Sequence, residues 1–156
     1  MNTKLDKSFE VPQSTGIVWE HLIDPEKIMD CVPGVSIDEK VGENQYKGKV
    51  GMKFGPMGVQ YDADIFYDEI NVDERKIIIT GDGVDSKGNG NAAMKMTINL
   101  IEKEEGGVKL NANMDVTVNG KIDQIILLMQ DSPLQYLANH HAHLNLLFRN
   151  HLKTFL

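Results

Sequence analysis

The stretch AAMKMTINLIEKEEGGVKLNANMDVTV, residues 92–118, decides the fold class. Every second position is apolar on both sides of the turn signal EEGG at residues 104–107. The apolar positions are Ala92, Met94, Met96, Ile98, Leu100, Val108, Leu110, Ala112, Met114, Val116 and Val118. Because successive side chains of a strand point to opposite faces, this period of two predicts two strands joined by a turn. Strands with one apolar and one polar face are typical of an antiparallel sheet with one wet side.

The same alternation extends from this hairpin back to residue 35. It predicts about six consecutive strands, each with one apolar face, up to residue 118. The separating segments are rich in turn-forming residues and include a glycine-rich loop, which we place at residues 81–90. The turns are residues 55–58, 71–74 and 104–107.

The N-terminal segment predicts one more strand and two short helices. Residues 5–11 alternate between apolar and polar side chains and therefore form a strand. Ser14 or Thr15 then caps a first helix, because the next residues are apolar at helical spacing. Asp24 and Pro25 are typical of a cap followed by the first residue of a second helix.

The C-terminal third changes to a helical period. An apolar stripe runs along one face of a predicted long helix within residues 121–156. Its members are Leu134, Leu137, His141, Leu144, Phe148, Leu152 and Phe155. This helix is the segment that can cover the apolar side of the sheet. The sequence thus predicts an α+β fold, a curved antiparallel sheet of about seven strands wrapped around one long C-terminal helix, as a single domain over residues 1–156.

Composition limits the classes of function. The 156 residues carry a formal net charge of −7 and no dense basic stretch, so we expect no nucleic-acid partner. The single cysteine excludes a disulfide within the chain and favours a reducing compartment. The N-terminus lacks an apolar signal segment, and no apolar run approaches the ~18 residues of a membrane span. We therefore expect a cytoplasmic protein.

Several motifs resemble those of the CoxG family of carbon monoxide dehydrogenase subunits. The segment VPQSTGIVWEHLIDPEKIMDCVPGV, residues 11–35, is similar to the opening signature of that family. Its matching residues are Val18, Trp19, Asp24, Pro25, Glu26, Cys31, Pro33 and Gly34. The segment YKGKVGMKFGP resembles the family's next strand and turn through Tyr46, Gly48, Val50, Gly55 and Pro56. Further matches are Gly81, Gly83, Gly88 and Gly120, so the resemblance covers roughly residues 8–128.

The resemblance implies a fold and a function. CoxG proteins belong to the START-like (SRPBCC) superfamily, whose helix-grip fold agrees with the architecture predicted above. It implies a non-catalytic carrier that holds a quinone or lipid and recruits or assists a molybdenum-containing carbon monoxide dehydrogenase. It also implies a location in the cytoplasm or at the inner face of the membrane. Longer relatives continue past the last helix into a tail, so membrane contact stays open for this chain.

The candidate ligand-binding residues are the inward positions of the sheet and helix. They are Met52, Phe54, Tyr61, Ile65, Met94, Met96, Leu110, Met114, Leu137, His141, Leu144 and Phe148. Methionine is flexible and polarisable and suits a wall that adapts to an apolar ligand, although methionines that simply fill a core explain the pattern too. Inward hydroxyls of Tyr46, Tyr61 and Tyr67 are compatible with either interpretation.

The histidines of residues 139–152 do not predict a metal site. No two of them are spaced i, i+4, the spacing at which helical zinc ligands commonly pair, and we expect no metal and no cofactor. His141 lies within the apolar stripe and needs a polar partner, from the core or from a ligand.

Two other functions stay open. An enzyme such as a cyclase or hydrolase in the same hollow needs two convergent acid or base groups, and only His141 qualifies on the helix. A protein–protein assembly factor, or a homodimer, would use a surface that includes Leu146 and Leu147.

Overall fold

The structure is a computed structural model in which residues 2–29, 34–54 and 57–120 are described. Within them a strand is followed by two short helices and then by further strands. The elements are β1 (Asn2–Val11), α1 (Thr15–Leu22), α2 (Pro25–Met29), β2 (Val35–Lys40), β3 (Gln45–Phe54), β4 (Met57–Asn71), β5 (Lys76–Asp85), β6 (Gly90–Glu102) and β7 (Val108–Gly120). This order confirms the predicted strand, pair of helices and six following strands.

The strands form one antiparallel sheet in the order β1-β7-β6-β5-β4-β3-β2. The two strands that flank the helices in sequence are therefore the two edges of the sheet. Irregularities in register between Ile37 and Glu39 and between Tyr67 and Glu69 interrupt the ladders of β2 and β4. Such bulges increase local twist and bend a strand, which helps a sheet to curve.

The two helices begin at capping residues. The Ser14 hydroxyl accepts a hydrogen bond from the Ile17 N–H at 3.5 Å, so Ser14 rather than Thr15 is the cap of α1. The Asp24 carboxylate accepts a hydrogen bond from the Glu26 N–H at 3.1 Å and so caps α2. Each cap satisfies a backbone donor that the first turn of a helix leaves free.

The main core lies between the two helices and the inner face of the sheet. Helix α1 packs against β6 and buries Val18, Trp19 and Leu22. The largest side chains with no significant exposure are Val18, Leu22, Ile77, Val108 and Leu110. Full burial of each such side chain stabilises the fold by about 1.5–3 kcal/mol.

The prediction of a glycine-rich loop at residues 81–90 is wrong in its extent. Strand β5 continues through Gly81 and Gly83 to Asp85, and β6 begins at Gly90. The two glycines are strand residues because Gly81 pairs with Met94 and Gly83 lies close under the Tyr61 side chain. Glycine here leaves space on the inner face for larger neighbours, a packing reason that the local sequence does not reveal.

The predicted long helix of residues 121–156 lies outside the described residues, and so do Leu137, His141, Leu144 and Phe148.

Candidate functional site

Three methionines form the centre of the inner face. Met96 of β6 lies directly opposite Met114 of β7, and Met94 lies opposite Val116. All three methionines are half-buried, whereas Leu100 and Leu110, farther along the same strands, are buried. The inner face therefore has one end that α1 and α2 bury and a methionine-rich part that is less completely covered.

The methionines lie between two apolar clusters. The larger cluster contains the helix residues and the buried ends of β5, β6 and β7, and Met94 and Met96 pack at its margin. A smaller cluster is formed by Tyr61 and Val118, with Val59, Ala92 and Val116 packed around them. Among the described residues, Met114 is not part of either cluster. A flexible side chain that is not locked into a cluster can adapt its shape to a bound molecule.

Two glycines of β5 widen the space above the sheet. A Cβ atom at Gly81 would lie 3.5 Å from the Met94 Cε atom, and one at Gly83 would lie 3.1 Å from the Tyr61 Cβ atom. The Met94 and Tyr61 side chains thus lie over backbone that carries no side chain. This arrangement lets two large inward residues lie low against the sheet.

Two tyrosines form an aromatic pair at the opposite side of the inner face. The Tyr46 and Tyr67 rings meet edge to face, with centroids 6.1 Å apart and an interplanar angle of 70°. The buried Tyr67 hydroxyl has no hydrogen-bond partner among the described residues. Burial, and then the negative charges that Tyr46 and Asp24 can carry, raise the pKa of Tyr67. The hydroxyl therefore stays protonated and is a hydrogen-bond donor at any physiological pH.

Lys7 is an inner-face residue that the sequence analysis did not single out. It pairs with Ala112, whose side chain packs against the main core, and directly opposed residues of an antiparallel pair share a face. Lys7 is half-buried. Its odd number, in a strand whose odd positions are otherwise mostly apolar, is the signal that could have identified it. A lysine stem at a sheet edge can cover apolar surface while its ammonium group reaches water.

Asp85 is a buried carboxylate of the inner face, at 5% exposure. It accepts hydrogen bonds from the backbone N–H of Asn89 at 2.9 Å and from Asn89 Nδ2 at 2.8 Å. The backbone bond from Asn89 is the main cause that lowers the pKa of Asp85. Burial, followed by the nearby Asp85 charge, raises the pKa of Tyr61, its partner in the strand register. Asp85 thus closes the loop between β5 and β6.

The candidate residues on the described strands differ in burial. Tyr61, Ile65 and Leu110 are buried, and Ile65 and Leu110 belong to the main core. Met94, Met96 and Met114 are half-buried. Met52 and Phe54 pair with Val59 and Met57 in the register of β3 and β4. Contact of any of these residues with a ligand stays a prediction.

Two open grooves lined by described residues lie away from the methionines. One, of about 540 Å³, is on the polar outer face and is lined by residues such as Ser8, Asn99 and Asn111. The other, of about 480 Å³, lies beside α2 and is lined by Asp24 and Tyr46 among others. No group of three His, Cys, Asp or Glu residues in the described ranges is placed to hold a metal ion. Within the same ranges, no helix has the length and apolar character needed to cross a bilayer.

The chain shares its fold with three solved structures, one of which is named as a START superfamily protein. A conserved protein from Geobacillus kaustophilus is 22% identical, with a TM-score of 0.70 over 99% of this chain and 93% of that one. A START superfamily protein from Mycobacterium smegmatis is 13% identical, with a TM-score of 0.63 over 98% and 99%. The ZhuI aromatase/cyclase from Streptomyces sp. R1128 is 13% identical, with a TM-score of 0.61 over 97% and 92%. At these identities the likeness shows the fold alone.

The family follows from the sequence match. The family model of CoxG, a carbon monoxide dehydrogenase subunit, matches residues 8–143. The chain belongs to the CoxG family, which confirms the resemblance found in its motifs. A comparison with curated proteins found no match.

Proposed function

We propose that the chain is a non-catalytic carrier that holds an apolar small molecule, a quinone or a lipid, against the inner face of its sheet. The observation that carries the proposal is the half-buried set Met94, Met96 and Met114, on a face where Ile79, Leu100 and Leu110 are buried. Apolar surface that is incompletely covered gains free energy when a ligand covers it, at about 2.5 kcal/mol per 100 Å².

The chemistry of the inner face supports binding rather than catalysis. Acid–base catalysis needs at least two convergent groups with free proton-transfer capacity. Among the described inner-face residues, Asp85 is engaged by Asn89, and Tyr61 and Tyr67 have raised pKa values. Lys7 lies apart from them, on the edge strand β1. These tyrosine hydroxyls can donate hydrogen bonds, but they are poor proton acceptors near neutral pH.

An enzyme in the same hollow is the second candidate function. One structural neighbour is named as an aromatase/cyclase, and Tyr61 lies opposite Asp85 in the strand register, which places two titratable residues together on the inner face. A turnover assay in which Asp85→Asn abolishes a measured reaction would favour this candidate.

The family name supplies the proposed client. A carrier of this family would assist a molybdenum-containing carbon monoxide dehydrogenase, in the cytoplasm or at the inner face of the membrane. Co-purification of such an enzyme with the tagged protein from its own host tests this assignment.

The carrier function is tested by what the protein holds. Native mass spectrometry and solvent extraction of protein purified from its own host should reveal a bound apolar molecule. Empty protein should take up a decyl-substituted benzoquinone or a fatty acid. Protein that is uniformly empty and takes up neither would contradict the proposal.

A matched pair of variants locates the binding face. Met114→Trp fills the space above the sheet and should weaken uptake at least tenfold, because Met114 is half-buried on the inner face opposite Met96. Asn113→Trp places the same side chain on the outer face of the same strand, where Asn113 is exposed, and should leave uptake unchanged. Equal uptake by folded Met114→Trp and wild-type protein would move the site away from this face.

A further inference from the structure

We propose that the Tyr67 hydroxyl donates a hydrogen bond to an uncharged oxygen of the bound molecule, so that the carrier selects an apolar carbonyl compound over a carboxylate. This inference rests on the proposed carrier function and deepens it by naming the chemical class of the ligand.

The Tyr67 hydroxyl is a buried donor that lacks an acceptor among the described residues. Tyr67 is 3% exposed, and its hydroxyl oxygen is buried without a hydrogen-bond partner among the described residues. Buried polar groups are nearly always paired, because an unpaired one loses its bonds to water without replacement. A ligand oxygen would supply the missing acceptor.

Tyr67 lies in the same row of the sheet as two of the methionines. Tyr67 pairs with Ile79, Ile79 with Met96, and Met96 with Met114, so these residues form one row across four strands. Strands lie about 4.8 Å apart, which separates the Tyr67 and Met96 backbones by roughly 10 Å. A molecule whose apolar part lies on the methionines reaches Tyr67 within the same row by passing over Ile79, which lies between them.

The neighbours of the Tyr67 ring restrain its orientation. The edge-to-face contact with Tyr46 restrains the Tyr67 ring, and Ile79 beside it is 2% exposed. A donor whose direction is set before binding loses little freedom when the ligand arrives. Such a donor discriminates ligands by the presence of an acceptor at one place.

Charge decides which acceptor fits. Burial opposes a negative charge at this hydroxyl, and so does the nearby Asp24 carboxylate. Two cations lie nearby: Lys27 is paired with the Asp24 carboxylate at 3.5 Å, and the Lys40 ammonium lies 5.7 Å from the centroid of the Tyr46 ring. The same surroundings that oppose a phenolate oppose a ligand carboxylate, whereas a ketone, ester or quinone oxygen adds no charge.

A surface opening lies next to this position. Asp24 and Tyr46 line the groove of about 480 Å³ beside α2, together with Lys27 and Lys40. The proposed polar subsite is therefore the corner formed by α2, β3 and β4, between this groove and the row of methionines.

Displacement of a fluorescent probe tests the inference. N-phenyl-1-naphthylamine is uncharged, apolar and free of carbonyl groups, so its binding reports the apolar wall alone. 2-Dodecanone and dodecanoate have the same carbon number and differ in the polar end. Wild-type protein should bind the probe, and 2-dodecanone should displace it at lower concentration than dodecanoate.

Tyr67→Phe removes only the hydroxyl. It should bind the probe as the wild type does, while its affinity for 2-dodecanone should fall about tenfold, or about 1.4 kcal/mol. Its thermal unfolding without ligand should be unchanged or at higher temperature, because no described hydrogen bond is lost. A merely structural role of the hydroxyl would lower the unfolding temperature and leave the preference for the ketone intact.

Three results would overturn the inference. Unchanged ketone affinity in Tyr67→Phe removes the donor role, while probe binding keeps the carrier function. Tighter binding of dodecanoate that is lost in Lys7→Met places the polar end at the β1 edge. Wild-type protein that binds neither probe nor ketone refutes the carrier function as well.

Discussion

The guanidinium group of Arg75 lies over the Trp19 ring, with its central carbon 5.3 Å from the ring centroid. Trp19 is buried in α1, and Arg75 ends the turn between β4 and β5. The backbone carbonyl of Arg75 also accepts a hydrogen bond from the Leu100 N–H at 3.0 Å. This cation–π contact therefore fastens α1 to the sheet at the buried end of the inner face.

Substitutions at Arg75 should separate the ring contact from backbone strain. Arg75 has a φ of 51°, which costs an L-residue about 1 kcal/mol and costs glycine little. Arg75→Ala keeps that strain and loses the contact, so its free energy of unfolding should fall by about 1 kcal/mol. Arg75→Gly loses the contact and relieves the strain, so it should be the more stable of the two in urea unfolding. If Arg75→Gly were less stable than Arg75→Ala, the positive φ of Arg75 would cost less than the extra flexibility of glycine in the unfolded chain.

Two glycine-to-alanine variants of β5 should differ in sign. A Cβ atom at Gly81 would make an ordinary contact with the flexible end of Met94, so Gly81→Ala should stabilise the protein by up to about 0.5–1 kcal/mol. A Cβ atom at Gly83 would press on the Tyr61 Cβ atom, so Gly83→Ala should destabilise it by about 1 kcal/mol. Urea unfolding of both variants measures the difference. Equal effects would mean that Tyr61 moves freely above the sheet.

Substitution of Ile77 should mainly lower stability, whereas substitution of Met96 should mainly weaken ligand binding. Ile77 is fully buried in the main core, and Ile77→Ala should lower the free energy of unfolding by about 2–5 kcal/mol. Met96 is half-buried at the margin of that core, so Met96→Ala should cost less than half as much. Uptake of a decyl-substituted benzoquinone should fall more in Met96→Ala than in Ile77→Ala at equal folded fraction. Uptake that follows stability alone would argue that the methionines only fill the core.

The strands were predictable from sequence because each one buries a single face, which the alternation around Met94 and Met114 records directly. The true length of β5 was not predictable from sequence. Gly81 and Gly83 are strand residues because the Met94 and Tyr61 side chains lie over them, and both of those side chains come from other strands. Inward placement of Tyr67 also follows from the period of two. Its lack of a partner among the described residues does not, because the neighbours of a hydroxyl come from other strands and helices.

Asp85 should make stability depend on pH. Its pKa is lowered mainly by the hydrogen bond from the Asn89 N–H, so the folded pKa lies below the unfolded value of about 4. The contribution of the carboxylate to stability is therefore fully present above about pH 4 and is lost as the pH falls through the folded pKa. Asp85→Asn should be less stable than wild type at pH 7, and the gap should narrow below about pH 4.

Asp82→Asn is the matched control for this titration. Asp82 is exposed on the outer face of the same strand and lies directly opposite Asp64, so removing its charge relieves a like-charge pair. Its variant should equal or exceed wild type in stability at pH 7. Thermal unfolding from pH 3 to pH 8 follows both variants. A gap between wild type and Asp85→Asn that stays constant over this range would show that the shape of the side chain, rather than its charge, holds the loop between β5 and β6.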